Sequence, residues 1–335
     1  MKKVLENMRV VFKFIIILVL SLSSIIFFFG TYEPDNLEIN FNQQNIYPDI
    51  AGYLKEKENR FPDIIPEVKK RVIWLKPNRK KTPFSIVYIH GFSATSEEIR
   101  PVPDNIANIL GANLFFTRLT GHGRGQNAMS RANIKDWMLD IAEAIEIGRR
   151  IGERTILIAS STGGTIATAA ALNPKIATHI DGLILVSPNF GINNVFASML
   201  TWPSARLWVP LIIGKTQNSK IRNKLHAKYW TTKYPTAALF PMAAIVKKVT
   251  KQDFSRIKIP TLFYFSYQDK VVDPFQIKKI ADNWGGKNKI INVKMTSKDD
   301  QNSHILAGDI VSPTQTDYAE SKMLQWINAT FNLLP

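Results

Sequence analysis

Ser161 stands where one kind of sequence changes into another. Thr155-Ile156-Leu157-Ile158-Ala159 is an apolar, strand-like run, Ser160-Ser161-Thr162-Gly163-Gly164-Thr165 is a run of small residues, and Ile166 to Leu172 is compatible with a helix. A strand, a tight turn and a helix in that order lift a serine above the carboxyl edge of a sheet. They also leave the N–H of the next residue, Thr162, at a helix N-terminus where it can bind an oxyanion. The usual spacing is Gly-x-Ser-x-Gly. Here it reads Ala159-Ser160-Ser161-Thr162-Gly163, with alanine as the mildest replacement for the first glycine.

A serine hydroxyl is a weak nucleophile and needs a base. Ser303-His304-Ile305 lies in a polar loop between the last strand-like run and the last long helical run, and Asp269 follows the strand-like Leu262 to Ser266. In this arrangement His304 takes the serine proton, while Asp269 fixes the imidazole tautomer and stabilises its charged form. Asp273, before Pro274, reads as a helix cap and is the rival carboxylate. The run Ser85 to Ile89 enters His90-Gly91-Phe92, where the glycine lets the chain turn the Phe92 N–H toward Ser161 as a second oxyanion donor. His122, flanked by Gly121 and Gly123, is a rival base whose setting favours a structural role.

These residues need a frame. Strand-like runs recur at 71–75, 85–89, 113–118, 155–159, 182–187, 261–266 and 289–294, with helical patterns at 96–110, 134–151, 164–172, 274–283 and 316–331. Alternation of this kind predicts a mostly parallel α/β sheet covered by helices on both faces, with the site at the carboxyl ends of its strands. Between Pro188 and Lys258 the pattern is suspended for too long to be a loop, so a helical cap insertion, about 189–258, is expected over the site. Trp202, Trp208, Trp230, Tyr229, Tyr234, Phe240 and Met242 either line an acyl pocket or form the cap's own core. The cap carries twelve Lys and Arg against one acid, Asp253, which accounts for most of the chain's net charge of +16. Such charge attracts phosphate from nucleic acid or anionic lipid, or is a solvated face.

The chain begins with Met1-Lys2-Lys3, then Arg9 and Lys13, then a run from Phe14 to Gly30 without charge. With Val10 to Phe12 added and Lys13 snorkelling, it approaches the roughly 20 residues that span a bilayer. An N-terminal transmembrane helix, a signal-anchor at 1–30, is therefore expected. Its basic residues keep the N-terminus cytoplasmic and the rest on the extracytoplasmic side, as in a bacterial inner-membrane protein. A cleaved signal peptide is the rival, although no Ala-x-Ala-like site follows. Residues 31–70 read as an extended connector with one short helix near 50–58 and no chemistry of its own. The absence of cysteine removes disulfides and cysteine-based metal sites from consideration. No cofactor, metal or nucleic-acid module is indicated.

His90-Gly91-Phe92, Arg118-Leu119-Thr120-Gly121-His122-Gly123, Ser161, Asp269 with Val271-Val272-Asp273-Pro274, and His304 together resemble the serine α/β-hydrolases of the monoacylglycerol lipase and lysophospholipase type. The resemblance runs from Arg71 to the end. It implies an α/β-hydrolase domain at 71–335, a triad of Ser161, Asp269 and His304, oxyanion donors at Phe92 and Thr162, and a carboxylic or lipid ester as substrate. A noncatalytic binding protein on the same fold, or a thioesterase or peptidase, remains the alternative.

Overall fold

The computed structural model describes residues 2–333; the side chains of Lys2, Leu22, Ser23, Ile25 and Ile26 lie outside the description. Among the described residues nine strands are present: β1 (Arg71–Ile73), β2 (Thr82–Ile89), β3 (Asn113–Phe116), β4 (Gly152–Ser160), β5 (Gly182–Val186), β6 (Thr216–Asn218), β7 (Lys233–Pro235), β8 (Thr261–Phe265) and β9 (Asn288–Asn292). Seven of them form one sheet in the order β1-β3-β2-β4-β5-β8-β9. Only β1 is antiparallel to its neighbour. β6 and β7 pair separately as a two-stranded antiparallel ribbon, in the chain between β5 and β8.

The central strands are apolar throughout because both of their faces are covered. Successive side chains alternate between two cores. Val87, Ile89, Leu157 and Ala159 face the layer that holds α4 (Ile134–Ile151) and α5 (Thr162–Leu172). Ile86, Tyr88, Ile156 and Ile158 face the layer that holds Val102 and Ile106 of a helix from Val102 to Ile109, and Met323 and Trp326 of one from Thr316 to Phe331. The pattern at 96–110 overestimated the first of these last two helices. Pro101 disfavours a helical residue before it, so the helix begins at Val102.

The segment expected to be a helical cap is mixed. It has three helices, Ala205–Ile213, Lys224–Tyr229 and Leu239–Val249, together with the antiparallel β6–β7 pair. Leu200, Val209 and Phe240 form a small core of its own. Within residues 31–70 the short helix expected near 50–58 spans Ile50 to Asn59, and it docks on α4. Tyr53 of that helix donates a hydrogen bond to Glu143 of α4 at 2.6 Å, and Ile50, Tyr53 and Leu54 join the same core.

At the N-terminus a continuous helix, α1, covers Lys2–Phe29. The transmembrane span expected from the sequence is not supported, because among the described residues no helix is long and apolar enough to cross a membrane. Lys13 interrupts the apolar stretch of α1, and the run that follows it, Phe14 to Phe29, includes Leu22, Ser23, Ile25 and Ile26, whose side chains lie outside the description. A single-pass topology with an extracytoplasmic catalytic domain is correspondingly not supported.

Candidate active site

Ser161 follows β4 directly and takes φ 48° and ψ −119°, a conformation that costs a non-glycine residue on the order of 1–3 kcal/mol. Its own backbone holds it there: Ser161 N–H donates to Val186 at 2.9 Å, and Ser161 C=O accepts from Asn189 N–H at 3.0 Å. The glycines that follow make the turn possible. A Cβ on Gly163 would meet the carbonyl oxygens of His90 and Ile89 at 2.5 and 2.6 Å, so no larger residue fits between helix and sheet. Ala159, where a glycine is usual, pairs with Ile89 and Leu185 in mid-sheet, and its methyl is fully buried.

The three side chains singled out in the sequence come together in order. His304 Nε2 lies 3.0 Å from Ser161 Oγ, and His304 Nδ1 lies 2.8 Å from Asp269 Oδ2. The other carboxylate oxygen of Asp269 accepts the N–H groups of Val271 and Val272 at 2.8 and 2.9 Å, which fixes its plane. Asp273 is occupied elsewhere, accepting from Phe275 and Gln276 N–H as the cap of the helix Pro274–Asp282. Burial pulls the pKa of His304 down, but the adjacent Asp269 carboxylate outweighs it and leaves the imidazole above the ordinary histidine value.

Beneath Ser161 lies the His90-Gly91-Phe92 turn. A Cβ on Gly91 would sit 3.0 Å from Ser161 Cβ, which measures how closely the two turns approach. Among the described residues neither Phe92 N–H nor Thr162 N–H is engaged in a hydrogen bond. Both are backbone donors on the two turns that meet at Ser161.

Glu98 was not identified from the sequence, and it accounts for why Phe92 rather than Gly91 keeps its N–H free. Its carboxyl accepts Gly91 N–H and Tyr88 O–H, each at 2.8 Å. Burial raises its pKa above the usual carboxylate range. Its only signal in the sequence was a Glu-Glu pair at the start of the run read as helical, 96–110. Asp300, also unidentified, accepts Asn302, His304 and Ile305 N–H and so shapes the loop that carries His304.

His122 does not serve Ser161. It is wholly buried against His90 and Trp137, with ring centroids 5.0 and 6.3 Å away, and burial brings its pKa down to about 4. His90 is likewise neutral, its pKa pushed well down by burial and by His122, and its Nε2 accepts Leu119 N–H at 3.1 Å. The turn from Arg118 to Gly123 is clamped from below. Arg118 forms a two-pronged pair with Glu58 at 2.8 Å, and Asp140, itself paired with Lys70 at 2.7 Å, accepts Thr120 N–H.

A cavity of about 550 Å³ opens above Ser161, Thr162, Phe92 and His304. Leu200, Val209, Leu239 and Met242 of the cap line one part of it; Lys220, Arg222 and His226 line another. Of the aromatic residues noted in the sequence, Trp230 and Tyr234 reach the cavity, whereas Phe240 lies in the cap's core.

The family model of serine aminopeptidase S33, Hydrolase_4, matches residues 81–295. Among curated proteins no sequence matches significantly. Solved structures that share the fold include one from work on LipS and LipT, two metagenome-derived lipolytic enzymes, at 16% identity and TM-score 0.62, covering 79% of this chain and 99% of that one. A second is a monoacylglycerol lipase of Paleococcus ferrophilus, at 15% identity and TM-score 0.56, covering 78% and 98%. A third is a soluble variant of monoglyceride lipase from Saccharomyces cerevisiae, at 13% identity and TM-score 0.58, covering 78% and 91%.

Proposed function

The chain belongs to the serine aminopeptidase S33 family and is a serine hydrolase of the α/β-hydrolase fold, and on that premise we propose that it cleaves carboxylic esters of a lipid type through an acyl-enzyme on Ser161. The observation that carries this reading is the unbroken contact from Ser161 through His304 to Asp269. His304 takes the serine proton as Oγ adds to the ester carbonyl, then gives it to the departing alcohol oxygen. Water repeats the sequence to free the acid. The Phe92 and Thr162 N–H groups stabilise the tetrahedral oxyanion, each worth roughly 3 kcal/mol of barrier.

The cavity favours an ester over an N-terminal peptide. An α-ammonium group needs a free carboxylate, and the two carboxyls lining the cavity are committed: Glu98 to Gly91 and Tyr88, Asp300 to three backbone N–H groups and Arg222. Lys220 and Arg222 would repel such a group. An acyl chain instead finds Leu200, Val209, Leu239 and Met242. Ser161→Ala should abolish hydrolysis of a short acyl ester while leaving the thermal midpoint within a few degrees of wild type; unchanged turnover would sink the proposal.

Attachment to a lipid surface belongs to the same reading, as does the division into an anchor at 1–30, a connector at 31–70 and a hydrolase domain at 71–335 with a cap at 189–258. Apolar side chains of α1 such as Phe14, Leu18 and Phe28 are exposed, and a lipid phase would bury them. The chain leaving α1 is fastened to the cap, where Ser204 N–H donates to Thr31 at 2.7 Å and Arg206 pairs with Glu33 at 2.6 Å. Trp202, Leu207 and Leu211 are exposed beside that junction. Part of the cap's positive charge is spent on acids of residues 31–70, since Lys228 pairs with Glu67 and Lys248 with Asp35. The full-length protein should float with vesicles containing anionic lipid and lose part of that binding at high salt. Equal flotation with neutral vesicles at all salt concentrations would remove the role of the basic cap.

A further inference from the structure

We propose that the cavity contains a subsite for an anionic group on the leaving alcohol, a phosphate-bearing alcohol in the first instance, built from Lys220, Arg222 and His226. The inference rests on the ester-hydrolase reading and specifies which ester is preferred.

His304 sets the direction in which the alcohol departs. The Ser161 Oγ–carbonyl bond forms as the serine proton passes to His304 Nε2, and the bond to the alcohol oxygen breaks as that same proton is delivered to it. The departing oxygen must therefore come within hydrogen-bond reach of His304 Nε2, and the rest of the alcohol lies on the His304 side of Ser161. That side is covered by the cap segment 219–231. Arg222 pairs with Asp300 at 2.6 Å, Asn223 donates to Ile310 C=O at 2.6 Å, and Thr231 N–H donates to Ser93 at 2.8 Å. The acyl side is different. Met242, from the helix Leu239–Val249, reaches Asn189 beside Thr162 at 3.4 Å and belongs to the apolar part of the lining.

The chemistry of the alcohol side is that of an anion site. Lys220 and Arg222 both line the cavity, and Arg222 keeps guanidinium donors beyond the one directed at Asp300. Independently, His226 lines the same region, is 5% exposed, and its Nδ1 has no hydrogen-bond partner among the described residues. A buried ring nitrogen left without a partner is costly, and an oxygen-rich ligand would supply one. His226 stacks on Trp230 at 4.8 Å, so its ring is held in place for such a contact. Asp300, the negative residue here, is already neutralised by Arg222 and three N–H groups. A neutral glycerol would leave this wall unmatched.

The test compares monomeric butyryl esters, so that micelle charge does not intervene: monobutyrylglycerol, butyryl glycerophosphate and butyryl glycolate, with the full-length protein. A charge-assisted contact predicts that kcat/KM for butyryl glycerophosphate exceeds that for monobutyrylglycerol by about tenfold or more, and that the ratio falls in 0.5 M salt (about this concentration suffices to screen beyond a few Å). Lys220→Glu, at an exposed position, should bring the ratio down to about one or below. Butyryl glycolate cleaved as well as the phosphate would identify the subsite as general for anions; its lagging behind would identify phosphate. A wild-type ratio at or below one, or a ratio indifferent to Lys220→Glu, overturns the subsite while leaving the hydrolase intact. If none of the three esters is cleaved, the ester reading itself fails and the subsite falls with it.

Discussion

The floor of the site and its cap are built on opposite principles. In the floor, each buried charge has a fixed partner: Arg118 holds Glu58, Lys70 holds Asp140 and Glu143, and His90 and His122 are kept neutral by burial. The cap has only a small core and exposes Leu207, Leu211 and Ile212. Its ties to the rest of the molecule include ion pairs from Arg206, Arg222, Lys228 and Lys248. A preorganised floor keeps the nucleophile, base and backbone donors in register before substrate arrives, which is where electrostatic stabilisation gains its strength. A loosely tied cap can vary what is bound without disturbing that register. The lesson is a division of labour, in which damage to the floor costs rate or stability and damage to the cap costs selectivity.

The largest effect should come from Asp269, the carboxylate that orients His304. Asp269→Asn keeps the shape but favours the wrong tautomer of His304, and turnover should drop by about 10⁴. Asp273→Asn, by contrast, should cost no more than about 1 kcal/mol as a weakened helix cap and leave turnover near wild type. Steady-state kinetics on the two variants separates these outcomes, and the reverse order would assign the carboxylate to Asp273.

Next in size is the clamp under the Arg118–Gly123 turn. Glu58→Ala strands the Arg118 guanidinium in the interior, and breaking a buried pair from one side typically costs about 3–5 kcal/mol. The urea midpoint should fall accordingly. A negligible shift would mean that residues 31–70 do not brace the hydrolase fold.

A smaller effect is expected where cap and floor meet. Arg222→Gln leaves the buried Asp300 with its backbone donors but without its cation. Because Asp300 positions the loop that carries His304, kcat on a neutral ester should fall by about tenfold, the equivalent of one charge-assisted hydrogen bond. Arg222→Lys should restore part of it. If kcat is unchanged and only KM rises, Arg222 touches substrate alone.

The smallest effect is on pH. His304 must be neutral to act as base, and Asp269 raises its pKa above 6.5. Activity should therefore be lost as pH falls through a value above 6.5, with the inflection in kcat/KM on the alkaline side of that number. An inflection well below 6.5 would mean that burial, not Asp269, controls the imidazole.

Much of the floor was legible because it is written in local pattern. Apolar runs such as Ile156 to Ala159 have no other use than a doubly covered strand, and Ser161, Asp269 and His304 announce themselves by lying just beyond such runs. Glu58 and Lys70 were invisible for the complementary reason. Their partners Arg118, Asp140 and Glu143 are 60 to 73 residues away, and an ion pair across that separation leaves no periodicity. Asp300 looked like one acid in a polar run, since its role is to gather backbone N–H groups, which the sequence does not display. At the N-terminus, composition identified an apolar run, and the fold makes it part of one continuous helix, Lys2–Phe29. In the cap, the basic excess was plain from composition, whereas its partial neutralisation by Glu33, Asp35, Glu67 and Asp300 emerged only once the chain was folded.

The central claim, that the floor activates one particular serine, is tested most directly by a fluorophosphonate probe, which reacts with an activated serine and spares an inert one. Peptide mapping of the labelled full-length protein should find a single adduct on Ser161. Labelling should disappear in Ser161→Ala and be strongly slowed in His304→Ala, although both remain folded. An unlabelled wild-type protein, or an adduct that persists in Ser161→Ala, would contradict the account.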